Sequence, residues 1–110
     1  MHTEPVKAKV RRYPRVELPK GIMVAWEHFG VRRVSRVKVL AVGGIFIVTP
    51  TPAPQGDTIR LLFEVPGGDV RARAIVRDSK QGTGMGVEFT AMGQEARARL
   101  SMLMKTLGAA

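Results

Sequence analysis

Cysteine is absent from the 110 residues. That excludes disulfides, thiolate zinc sites, iron–sulfur clusters and a cysteine nucleophile, and it is compatible with a reducing compartment. Histidine occurs only as His2 and His28, too few and too far apart for a histidine-built metal centre. No apolar run approaches the roughly 18 to 20 residues that span a bilayer, and the N-terminus is charged rather than built around an apolar signal core. The chain therefore reads as soluble and cytoplasmic, with no membrane span. Enzyme signatures are missing too: there is no Gly-x-Ser-x-Gly, no phosphate loop ending in Gly-Lys-Ser/Thr and no His-Glu-x-x-His. Glu64, Asp69 and Asp78 fall on or beside hairpin strands, where solvated pairing with basic neighbours is their expected role. The expectation is a binding module, not an enzyme, without cofactor or metal.

Acidic residues are scarce against basic ones, nine to eighteen, leaving a net charge of +9. Twelve of the eighteen are arginine, which favours flat, bidentate recognition of phosphate or of a guanine edge over diffuse attraction. Such a balance calls for an anionic partner: nucleotide, nucleic acid, acidic protein or anionic membrane surface. At 12.0 kDa the chain fits one domain. A chain of this mass buries about 65% of its unfolded surface, enough for a core without staples.

Residues 1–20 form a basic arm, with Lys7, Lys9, Arg11, Arg12, Arg15 and Lys20 against Glu4 and Glu17. Its three prolines forbid a regular helix and predict an extended segment on or beside the domain of residues 21–110. Alternation then predicts strands. Ile22 to Trp26 is the first. Val34 to Leu40 is the second, with Val37 and Val39 on one face and Arg36 and Lys38 on the other. Gly43 and Gly44 interrupt the chain before Ile45 to Val48, and TPTPAPQGD, with three prolines, is a loop. In the clearest hairpin, Ile59, Leu61, Phe63 and Val65 face Val70, Ala72, Ala74 and Val76, with Arg71, Arg73 and Arg77 on the outer side. Met85, Val87 and Phe89 make the last strand. Ala96, Leu100, Leu103 and Leu107 step at helical spacing, and Gly108 stands where a helix stop is expected. The fold class is mainly β: a six-stranded antiparallel barrel with one C-terminal α-helix of about four turns.

Taken in order, several of these features resemble the PilZ domain family: Arg-Arg-x-x-Arg ahead of the first strand, Gly-Gly-Ile-Phe-Ile opening the third, the arginine-rich fifth, and Gly-Met-Gly-Val-Glu-Phe before the helix. The resemblance covers roughly residues 11–107. It implies a six-stranded barrel acting as a bacterial receptor for cyclic di-GMP. In the family an Arg-x-x-x-Arg arm and an Asp/Asn-x-Ser-x-x-Gly loop bind the nucleotide. The arm maps onto Arg11 and Arg15, with Arg12 as an auxiliary. Of the loop only Gly44 survives, because Val39 and Ala41 stand where Asp/Asn and Ser are expected.

The resemblance thus implies a nucleotide sensor that engages cyclic di-GMP through Arg11, Arg12, Arg15 and Gly44 and signals by ordering its arm. The alternative is a degenerate PilZ domain acting as a protein-interaction adaptor in motility or type IV pilus function. Trp26, in an apolar alternating strand, is expected in the core, and Tyr13 in arm docking or ligand contact. Arg71, Arg73 and Arg77 form a basic ladder read first as a solvated strand face, and an acidic protein partner would land there. Nucleic acid is disfavoured: with six aromatics, most of them on alternating strands, few remain to stack bases.

Overall fold

The computed structural model describes residues 15–17, 22–65 and 67–107. Seven strands and one helix follow in order: β1 (Arg15–Glu17), β2 (Met23–His28), β3 (Val31–Ala41), β4 (Gly44–Val48), β5 (Thr58–Val65), β6 (Gly68–Lys80), β7 (Gly84–Met92) and α1 (Gln94–Thr106). All pairings are antiparallel, and the neighbours run β3-β2-β5-β6-β7-β4, with a β3–β4 pairing that closes six strands into a barrel. This is the expected architecture. The three-residue β1 joins it as an additional strand on β3.

Strand alternation fills the barrel. Ile59, Leu61, Phe63 and Val65 on β5 and Val70, Ala72, Ala74 and Val76 on β6 are buried, while Arg60, Glu64, Arg71 and Arg73 are exposed. Trp26 points into this core at 2% exposure, and its Nε1 donates to Ser35 Oγ at 3.0 Å, so the one indole donor inside the barrel is satisfied. The Arg33 guanidinium lies 5.9 Å from the indole centroid and caps it by a cation–π contact. One end of the barrel is plugged by the proline-rich loop. There Ala53 is buried, its carbonyl accepts from Ser79 Oγ at 2.8 Å, and Asp57 meets His28 Nε2 at 2.8 Å.

Three details depart from the sequence expectations. The second barrel strand begins at Val31 rather than Val34, because Phe29 and Gly30, both at positive φ (52° and 77°), make a two-residue turn that pairs His28 with Val31. Val37 and Val39 do not share a face. A register shift between them inserts Lys38 as a bulge, so Val37 and Leu40 are buried and Val39 is half-buried. The long hairpin strand runs on to Lys80, and a second shift after Val76 leaves Arg77 and Asp78 both exposed.

The helix buries Ala96, Leu100, Leu103 and Met104 against β6 and β5. Arg99 fastens it to the β5–β6 turn by donating to the Asp69 carbonyl at 2.8 Å, over Gly68, where a Cβ would come within 2.8 Å of the guanidinium Nε. Met102 is exposed and Met92 half-buried. Among the described residues no helix is long and apolar enough to cross a membrane.

Candidate functional site

The candidate site assembles at the C-terminal end of β3. On one edge of β3, β1 pairs Arg15 with Ala41, Val16 with Leu40 and Glu17 with Val39. On the other edge, β4 pairs Gly44 with Ala41 and Phe46 with Val39. β7 continues both rows, placing Glu88 opposite Gly44 and Gly86 opposite Phe46. One cross-strand row therefore reads Arg15, Ala41, Gly44, Glu88. The arm and the loop positions, 24 or more residues apart in sequence, are adjacent through backbone pairing. Arg11 and Arg12 lie outside the described residues, as does Tyr13.

The bulge at Lys38 positions this surface. Because it shifts the register by one residue, Val39 and Ala41 are only partly buried, while Leu40 between them is fully buried. The small residues around them are required by packing. A Cβ on Gly44 would collide with the Val87 carbonyl oxygen and lie 3.2 Å from Glu88 Cα, so β4 and β7 approach this closely only with glycine there. The Phe46 ring lies across β7, where a Cβ on Gly84 would fall 2.9 Å from its Cε2 and one on Gly86 would fall 3.9 Å from its Cδ1. The two glycines of Gly-Met-Gly-Val-Glu-Phe thus make room for an aromatic ring. Glu88 closes the row and accepts from Arg77 Nε at 2.6 Å, an exposed ion pair.

Chemically, the β3–β4 part of this row is flat and apolar: Val39, Ala41, Gly44 and Phe46 present no side-chain donor or acceptor. Such a strip can take the face of a planar ring by van der Waals contact. Hydrogen bonds and charge have to come from the arm.

A second feature occupies the outer face of β2, β5 and β6, where a groove of about 510 Å³ is rimmed by Arg32, Arg60, Arg71 and Arg73. The sequence ladder named Arg71, Arg73 and Arg77. The structure keeps Arg71 and Arg73 together, pairs Arg77 with Glu88, and brings in Arg32 and Arg60 from other strands. No spacing along the chain signals those two, since strand order alone makes them neighbours.

A six-stranded antiparallel barrel closed by β3–β4 and flanked by one helix places the chain among small antiparallel β-barrel domains. The PilZ domain model matches residues 9–105, and the chain belongs to the PilZ domain family. Solved structures agree in fold. The PilZ domain of YcgR from Escherichia coli with c-di-GMP is 17% identical, with a TM-score of 0.68 over 88% of this chain and 90% of that one. The Bacillus subtilis inhibitor of motility, MotI/DgrA, is 18% identical at a TM-score of 0.70 over 87% of this chain and 50% of that one. MrkH of K. pneumoniae in complex with c-di-GMP is 17% identical at 0.70, over 88% and 52%. The chain thus spans about half the length of MotI/DgrA and of MrkH. No curated protein sequence matches it.

Proposed function

We propose that this domain is a cyclic di-GMP receptor module of the cytoplasm, not an enzyme, in which Arg11, Arg12 and Arg15 grip the nucleotide beside Gly44 and the ordered arm is the output. The observation that carries this reading is the cross-strand row that sets Arg15 next to Ala41 and Gly44. Membership of the PilZ family and the nucleotide bound in the YcgR and MrkH structures support it. Each guanine of the ligand offers O6 and N7 to an arginine fork, and its phosphates offer further acceptors to the arm. The apolar strip of Val39 and Ala41 supplies contact without hydrogen bonds. Losing two such bonds, at roughly 0.5 to 1.5 kcal/mol each, weakens binding by about one to two orders of magnitude relative to a complete loop. Fixing a free arm costs roughly 1 to 2 kcal/mol per residue, so ligand charge and stacking have to offset that cost.

The second reading, an adaptor that binds protein and no nucleotide, is favoured by one specific observation: the half-exposed Val39 and Ala41 stand where the family carries Asp/Asn and Ser. Titration calorimetry with cyclic di-GMP separates the two. Saturable binding selects the receptor, and a flat trace up to about 100 μM, a level that would still register an affinity weaker than 10 μM, selects the adaptor.

A further inference from the structure

The arginine-rimmed groove is a composite surface. Register across the strands lines up two rows on the outer face. The first reads Arg32, Glu27, Arg60, Arg73 and the second Val34, Ala25, Leu62, Arg71. In the first row Arg60 and Arg73 are direct cross-strand partners, both exposed. Like charges placed opposite one another on an antiparallel pair are destabilising. Neither has an ion-pair partner among the described residues: the pairs formed there are His28 with Asp57, Arg77 with Glu88 and Arg99 with Glu95. Glu27, beside Arg60, makes none. The second row is an apolar strip, with Val34 64% exposed and Ala25 and Leu62 half-buried.

We propose that this groove docks an acidic amphipathic segment of a protein partner, its apolar side chains on Ala25 and Leu62 in the groove and on Val34, the cross-strand neighbour of Ala25, and its carboxylates on Arg32, Arg60, Arg71 and Arg73. Charge complementarity commits the occupant to an anion, since four guanidiniums surround one carboxylate. The apolar strip commits it to a protein. Single-stranded nucleic acid is held by aromatic platforms, and the groove lining holds one aromatic residue, Trp26, whose ring is buried. Arginine forks take carboxylates in bidentate pairs, and an apolar centre with a charged rim is the usual anatomy of a docking surface. The groove uses the N-terminal half of β3, whereas the arm pairs with Val39–Ala41 at its other end, so docking stands independently of nucleotide binding.

The test uses the full chain and a fluorescein-labelled peptide of alternating leucine and glutamate as the probe, with a leucine–lysine peptide and a thymidine oligonucleotide as comparisons. Anisotropy should show the acidic peptide binding at least tenfold more tightly than either comparison. Arg60→Glu with Arg73→Glu should weaken it at least tenfold, while Arg97→Glu on the helix and Arg11→Ala with Arg15→Ala in the arm leave it unchanged. Amide NMR shifts on titration should cluster at Ala25, Glu27, Arg60, Leu62 and Arg71. The same charge relief predicts that Arg60→Gln raises the melting temperature of the free protein by roughly 1 to 3 °C, as removal of a like-charge cross-strand pair does. Tighter binding of the oligonucleotide overturns the proposal in favour of nucleic acid. Failure of the acidic peptide to bind, shifts confined to the arm and β4, or an Arg60→Gln protein less stable than the parent each overturn it outright.

Discussion

Around Ala41 and Gly44 the barrel wall is apolar and so closely packed that β4 admits no Cβ at position 44, whereas around Arg60 and Arg73 it is charged and open, with side chains that form no ion pair among the described residues. Both surfaces draw on β3, one on each half of it, and share one core. They differ in what holds their side chains in place. At the first surface the neighbours dictate residue size, so Gly44 is fixed by packing whether or not a ligand is present. At the second nothing in the fold requires arginine, and two of the arginines oppose each other. A residue demanded by packing says little about binding, and a charge tolerated against its neighbour says more.

The hardest blow to both surfaces falls on the core beneath them. Trp26→Ala should destabilise the barrel by about 3 to 5 kcal/mol, through lost burial and an orphaned Ser35 hydroxyl, as urea denaturation would read. A loss under 1 kcal/mol would mean that the two faces do not rest on this core. Gly44→Ala comes next, at about 2 to 4 kcal/mol, because its Cβ meets the Val87 carbonyl; Ala41→Gly, on the same row with room to spare, should cost about 1 kcal/mol or less. Equal costs would undo the steric account of Gly44.

Arm substitutions separate binding from stability. Arg15→Ala and Arg11→Ala should each weaken cyclic di-GMP binding by about 1.5 to 3 kcal/mol, the size of a lost charge-assisted hydrogen bond, with a melting temperature within about 2 °C of the parent. Unchanged affinity in calorimetry would remove the arm from the site. Restoring the family's polar pair, Val39→Asp with Ala41→Ser, should tighten binding by about tenfold, or 1.4 kcal/mol. The half-buried setting of Val39 makes this tolerable, since an aspartate there reaches solvent rather than the core. A double variant that folds and still ignores the nucleotide would leave the adaptor reading standing. The smallest effect belongs to the exposed pair of Arg77 and Glu88. Glu88→Gln should change stability by about 0.2 to 1 kcal/mol and shrink further in high salt.

Much of this layout was legible beforehand because half-buried strands write their burial into alternation. Ile59 to Val65 and Val70 to Val76 each alternate without a break, and each residue assigned inward there is inward. Ala96, Leu100 and Leu103 betray the helix in the same way. The legible pattern failed where burial stops being periodic. Residues 31–34 are all exposed, so a strand held by pairing to β2 alone left no hydrophobic trace. Nor does an inserted residue announce itself: nothing in Val37-Lys38-Val39 marks the bulge. The family pattern points to Arg11, Arg15 and Gly44, of which Arg15 and Gly44 fall in one cross-strand row, but no motif joins Arg32 and Arg60 to Arg71 and Arg73, because the strand order β3-β2-β5-β6 brings them together.

The bulge at Lys38 works as a frameshift. Up to Val37 the odd-numbered residues of β3 from Ser35 onward point into the barrel; beyond Lys38 the even-numbered Leu40 is inside and the odd-numbered Val39 and Ala41 are turned toward the surface. One strand is therefore read in two frames, the first writing core and the second writing the face beside the arm. Positions 39 and 41 can change without touching the interior for as long as the strand does not slip back into its first frame. Straightening the bulge with Lys38 kept in the ladder would send Val39 and Ala41 into the core and Leu40 out into the water, whereas deleting Lys38 removes the surplus residue and leaves Val39, Leu40 and Ala41 facing as they do now, so the row beside the arm depends on where the surplus is taken up.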